Sequence, residues 1–181
     1  MKTTSEQKRI LTKAKNGDRD AMAELIENNR DNVFALAYRM TGNRDDALDI
    51  TQETFVKAIE NIRNFKGKST IATWLYSIAA NLSRDYLRKR IRRDSVSLDE
   101  ARLSDKSDSP IDTIDEDERK KLVRRAIAEL PPATRAAFVL RYDRNLPIAE
   151  IAGVLRKSEG TIKAQLFEAV KRIRTILKIE E

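Results

Sequence analysis

Neither cysteine nor histidine occurs in this chain of 181 residues. The first absence removes disulfides and thiol nucleophiles, and the second removes imidazole as a general acid or base. Together they remove the usual zinc sites. Catalysis by carboxylates or lysines stays open in principle. Glycine is nearly as scarce: Gly17, Gly42, Gly67, Gly153 and Gly160 lie apart at turn-like places and never cluster into a loop that could cradle a phosphate. No apolar run approaches the roughly 20 residues that cross a bilayer. The opening MKTTSEQKRILTKAKNGD also lacks the apolar stretch of a secretion signal. These absences lead to the expectation of a cytoplasmic protein, not inserted in a membrane, that is not an enzyme and carries no cofactor or metal.

What the chain has in abundance is charge. Charged residues make up 36% of it, the mean hydropathy is −0.58, and any core is therefore modest. The net charge of +7 and a pI near 9.7 favour a nucleic-acid or acidic partner over a neutral ligand. The length allows one domain or two small ones. Charge divides the chain into three parts. Residues 1–93 carry a net +7, Asp94–Glu118 a net −8, and Arg119–Glu181 a net +8. The middle part is rich in Ser and Asp and poor in periodic apolar residues, which reads as an extended, flexible tether. The expected layout is two small basic helical domains, 1–93 and 119–181, joined by an acidic linker, 94–118.

Strand signals are weak throughout, so the fold class is all-α. Gly17-Asp18 marks a helix start with Asp18 as N-cap, and Asp31 or Asn32 is read as opening a second helix. Gly42 suits a left-handed cap that closes it. A third helix runs from about Arg44 to Asn64. After the turn Phe65-Lys66-Gly67-Lys68 comes the longest amphipathic stretch, Ser69–Arg93.

In that stretch Ile71, Leu75, Ile78, Leu82 and Tyr86 share one arc, the expected buried stripe. Ser77, Asn81, Arg84, Arg88 and Arg92 share the opposite one, with Trp74 at the seam. Amide and hydroxyl groups can bond base edges and guanidinium groups bind phosphates, so this arc suits a polyanion. A solvated helix face is the alternative. In the third helix, Leu48, Phe55, Ile59 and Ile62 are the expected buried side. Asp46, Asp49, Glu53 and Glu60 lie opposite, flanked by Ile50 and Val56. With no histidine and no second converging cluster, a metal site is disfavoured. Apolar residues beside the charges favour a protein-docking surface.

The run DDALDITQETFVKAIENIRNFKGKSTIATWLYSIAANLSRDYLRKR resembles region 2 of bacterial sigma factors of the extracytoplasmic-function (ECF) group. Its segments DITQETF and TWLYSIAANLSRDYLR match that group's pattern almost position for position. The resemblance implies that Asp46, Asp49, Ile50, Gln52, Glu53 and Val56 bind the core RNA polymerase. It also implies that Trp74, Ser77, Asn81, Arg84, Arg88 and Arg92 melt and read the promoter −10 element. Asn81 would receive a flipped-out base, Trp74 would anchor the reading loop, and the arginines would follow the backbone. Trp74 can equally serve as a core aromatic at a helix start.

Beyond the tether, KLVRRAIAEL reads as a helix stopped by Pro131-Pro132, and Ala133–Tyr142 as another. LPIAEIAGVLRKSEGTIKAQLFEAVKRIRTIL has the rhythm of a helix-turn-helix, with a short helix over Ile148–Leu155 and a longer one from Glu159. Ser158 is the expected N-cap, and Ile162, Leu166, Val170 and Ile173 the inward stripe. Leu130–Leu177 is similar to sigma region 4. That resemblance implies −35 contacts from Ser158, Thr161, Lys163, Ala164, Phe167 and Lys171. Arg156 and Lys157 in the turn depart from the family's pattern, as do Ala164, Gln165 and Glu168 on the reading face. Phe167 has an equal alternative, packing on its own domain.

The implied function is therefore a sigma factor that brings core polymerase to a promoter. Its partners would be core polymerase, duplex −35 DNA and a melted −10 strand, and an anti-sigma protein is admitted as a further one. The rival is a two-domain helix-turn-helix regulator that acts without polymerase. For the acidic tether two roles stay open: occupying the polymerase's positive nucleic-acid channel, or only setting the distance between the two readers.

Overall fold

The computed structural model describes residues 4–97 and 118–177, and these contain helices and short connections with no strand among them. The first helix, α1 (Thr4–Lys15), has no counterpart in the sequence expectation. Its polar composition hides a narrow apolar edge, with Ile10 and Ala14 buried and Leu11 packed beside them. Gly17 turns the chain at φ +89°, and Asp18 caps α2 (Arg19–Thr41) by accepting from the Ala21 amide.

The expected break at Asp31 or Asn32 does not occur, because α2 continues through both. Leu25, Val33, Leu36, Ala37 and Met40 are all buried along it, and that burial outweighs the weak capping tendency of two polar residues. Gly42 closes α2 in the left-handed region, its amide bonded to the Tyr38 carbonyl. Asn43 caps α3 (Arg44–Asn61), which ends in a 3-10 turn over Ile62–Asn64. Helix α4 (Ile71–Ser97) is longer than expected. Asp94–Ser97, assigned to the tether, continue it, while the rest of the tether, residues 98–117, lies outside the described residues.

The second half begins with α5 (Glu118–Ala128), then α6 (Pro132–Phe138), whose end opens into a π-turn over Val139–Asp143. The helix-turn-helix follows as α7 (Ile148–Leu155) and α8 (Glu159–Leu177). Arg156 occupies the left-handed position between them at φ +53°, a conformation that costs a non-glycine residue about 1 kcal/mol. Ser158 caps α8 through the Thr161 amide.

The two halves share one apolar core. Leu36, Met40, Tyr76 and Ala80 from the first belong to the same cluster as Leu140, Leu146 and Ile151 from the second. Polar contacts line this seam. Arg135 of α6 donates to the carbonyls of Met40, Ala128 and Leu130. Arg144 donates to the Asn32 side chain at 3.0 Å and lies over the Tyr76 ring. Asp143 pairs with Arg39 and with Arg144. Glu150 of α7 accepts from the Thr73 hydroxyl at the start of α4, at 3.1 Å.

Candidate protein and nucleic-acid interfaces

Helix α3 packs between α2 and α4, and this decides which of its residues remain free. Ala47, Ile50, Thr51, Thr54, Phe55 and Ala58 face inward. Asp49, Gln52, Glu53, Val56, Ile59 and Glu60 form one exposed arc. Two expectations change places here. Ile50, taken as an exposed docking residue, is only 5% exposed, whereas Ile59, taken as core, is 48% exposed beside Val56 at 53%. The cause is that α3 is gripped from two sides, which rotates its buried arc away from the single stripe read from spacing. Leu48 is likewise only half-buried. Glu53 pairs with Lys57 one turn on at 3.5 Å.

Between α3 and α4 runs a groove of about 360 Å³ lined by Asp46, Asp49, Ile50, Glu53, Lys57, Leu82, Asp85, Tyr86 and Lys89. Asp46 is not presented freely to it. Its carboxylate lies 3.6 Å from the Arg90 guanidinium and neighbours the Tyr86 hydroxyl. Burial first, and the neighbouring Asp46 second, push the Tyr86 hydroxyl above its ordinary pKa. Asp46 thus ties α3 to α4. Among the described residues no group of His, Cys, Asp or Glu is placed to hold a metal ion.

On α4 the buried arc is Thr73, Leu75, Tyr76, Ala79, Ala80, Ser83 and Leu87. The predicted stripe of Ile71, Ile78, Leu82 and Tyr86 sits at its border, half-buried, with only Leu75 fully inside. The polar arc is only partly as expected: Ser77, Asn81 and Arg84 are half-buried, and they are bonded to one another or to the helix. The Ser77 hydroxyl donates to the Trp74 carbonyl, Asn81 Nδ2 to the Ser77 carbonyl at 2.7 Å, and Arg84 to Asn81 Oδ1 at 2.8 Å. Arg88 and Arg92 are exposed. Trp74 is half-buried against the Phe65 ring, centroids 5.2 Å apart, which favours the core role weighed for it.

In the second half, Thr161, Lys163, Ala164, Phe167, Glu168 and Lys171 all lie on the exposed side of α8, Phe167 at 68%. Ile162 and Leu166 are buried, with Val170 and Ile173 half-buried. Phe167 therefore does not pack into its own domain. The sequence reading missed Lys15, whose ammonium reaches the Phe65 carbonyl, and Glu150, which reaches Thr73; both contacts are tertiary and leave no local signal.

A bundle with an exposed acidic-apolar helix and a basic ladder, followed by a helix-turn-helix, is the architecture of sigma subunits. Residues 25–93 match Sigma-70 region 2, and residues 120–173 match Sigma-70, region 4. The chain is 31% identical over 181 residues to the ECF RNA polymerase sigma factor SigW of Bacillus subtilis, covering 94% of this chain and 96% of that one. It is 29% identical over 182 residues to the RNA polymerase sigma-H factor of Pseudomonas aeruginosa, covering 96% and 94%. Its fold resembles that of the sigma factor RpoE of Bartonella quintana, solved in complex with the anti-sigma factor NepR. That match has a TM-score of 0.68 at 23% identity and covers 90% of this chain and 98% of the other. The chain belongs to the ECF sigma factors of the sigma-70 family. No helix among its described residues is long and apolar enough to cross a membrane.

Proposed function

We propose that this chain docks on core RNA polymerase and directs it to promoters, reading the −10 element along α4 and the −35 element along α8. The docking surface is the exposed arc of α3, Asp49, Gln52, Glu53, Val56 and Ile59, with Ile50 and Asp46 supporting it from behind. The observation that carries the reading is this arc: carboxylates flank two exposed aliphatic side chains on the helix that contains DITQETF, inside the segment matching region 2. Such a surface suits a partner with basic groups around an apolar strip. On α4, Asn81 is the base-contacting residue and Arg84, Arg88 and Arg92 hold phosphates. On α8, Thr161, Lys163, Ala164, Phe167 and Lys171 face the duplex, and Ser158 orients the helix start. Family membership also makes an anti-sigma protein a proposed partner.

The test is co-purification with core polymerase, followed by run-off transcription on a promoter library. Replacing both Asp49 and Glu53 by Lys reverses two exposed charges and should abolish co-purification while leaving helicity unchanged. If the double variant still binds core, the docking assignment fails. If the wild-type chain binds promoter DNA selectively without core, the regulator reading replaces this one.

A further inference from the structure

Lys15 is the last residue of α1, and its ammonium donates to the main-chain oxygen of Phe65 at 2.9 Å, in a part-buried contact across 50 positions of sequence. Phe65 is where the chain leaves the 3-10 turn for the connection into α4, and its ring packs on Trp74. Between Phe65 and Thr70 the chain has little to locate it. Gly67 sits at φ +70°, and a Cβ there would meet nothing within 4 Å. The connection is instead held at its two ends: at Phe65 by its buried ring, its amide bond to the Ile62 carbonyl and the Lys15 contact to its own carbonyl, and at Thr70 by the hydroxyl capping the Thr73 amide. The Gly17 turn after α1 lies beside the Arg63 guanidinium, next to the same region. Helix α1 precedes the segment that matches Sigma-70 region 2, which begins at residue 25.

We infer that Lys15 is a positioning residue for −10 recognition: by holding the Phe65 carbonyl it fixes the 65–70 connection, and with it the Phe65–Trp74 pair beside the Ser77–Asn81–Arg84 ladder. This rests on the reading of α4 as the −10 face. A hydrogen bond from an ammonium is about twice as strong as a neutral one, so a single lysine can set the direction in which the chain leaves the buried Phe65. A lysine at a helix C-terminus has two simpler roles to set against this: favourable charge on the helix dipole, and a phosphate contact.

The experiment uses the full chain reconstituted with core polymerase and a promoter library randomised over the −10 element. Three proteins are compared: wild type, Lys15→Met, which keeps the aliphatic length, and Lys15→Arg, which keeps a donor. Core binding and wild-type selectivity are measured first, and a failure there belongs to the proposed function rather than to Lys15. Lys15→Met is expected to bind core normally and to lose about tenfold in selectivity between the best and the median −10 sequence, the effect of one charge-assisted hydrogen bond. Lys15→Arg should keep most of that selectivity, and the salt dependence of binding should not change. Wild-type selectivity in Lys15→Met overturns the inference. So does a uniform loss on every sequence together with a lowered melting temperature, which marks plain destabilisation. A salt slope smaller by about 0.9 with selectivity intact overturns it as well, because that is the signature of a lost phosphate contact.

Discussion

The Arg135 guanidinium donates to the Met40 carbonyl at 2.6 Å, joining α6 to the last turn of α2 across 95 positions of sequence. The same group reaches the carbonyls of Ala128 and Leu130, so three main-chain oxygens hold a buried cation. Burial lowers its pKa to about 10. Arg135→Met leaves three acceptors without their donor and should cost about 3 kcal/mol in urea unfolding. Arg135→Lys keeps the charge but cannot fork to three oxygens, and should fall between the two.

Ile50 and Val56 separate stability from the proposed docking, although both lie on α3. Ile50→Ala removes a buried side chain and should cost about 2–5 kcal/mol of stability. Val56→Ala changes an exposed residue and should shift stability by no more than about 0.5 kcal/mol, yet weaken core binding. Thermal melts beside co-purification titrations check both. Equal binding loss from the two, with equal stability, would contradict the placement of α3.

What the sequence showed of this fold was mostly local chemistry. The caps at Asp18 and Ser158, the left-handed Gly42, and the bounds of α7 were all readable because each depends on residues a few positions apart. The failures have a common cause in packing. Asp31 and Asn32 look like a helix start, but the helix around them is held by Val33 and Leu36 against the rest of the bundle. Ile50 and Ile59 traded roles because a helix packed on two neighbours buries a rotated arc. The exposed side of α8 and the Arg88 and Arg92 end of the α4 ladder were legible since charge and exposure there follow helical period directly, whereas Ser77, Asn81 and Arg84 are half-buried. Lys15 and Glu150 were not, since nothing in their own segments points to Phe65 or Thr73.

Asn81 is already bonded on both sides of its amide, to the Ser77 carbonyl and to Arg84. One N–H and one lone pair of the amide stay free, so a base proposed to bind there meets an Asn81 already oriented by its neighbours. Asn81→Ala should relax preference at one −10 position by roughly 1–3 kcal/mol, while Arg88→Ala should weaken all promoters alike. Competition binding of holoenzyme to −10 variants distinguishes them. An equal loss on every variant from Asn81→Ala would assign Asn81 to ordering Arg84 instead.

Tyr86 gives a pH signature for the Asp46 tie. Its folded pKa is raised, so above the ordinary tyrosine pKa of about 10 the folded state binds more protons than the unfolded one. Its stabilising contribution is complete below that value and is lost as pH rises through the folded pKa. Asp46→Asn removes the carboxylate's share of the shift, and phenolate absorbance should show Tyr86 titrating at lower pH than in the wild type.

The shared core has a thermodynamic consequence. Met40 and Tyr76 lie in the segment that matches region 2, Leu140 and Ile151 in the one that matches region 4, and all four occupy one apolar cluster. Helix α2 closes the first half and also supplies Asn32, Arg39 and Met40 to the second. Melting either half exposes surface buried by the other, so the described residues should unfold as a single cooperative unit, with calorimetric and van't Hoff enthalpies expected to coincide.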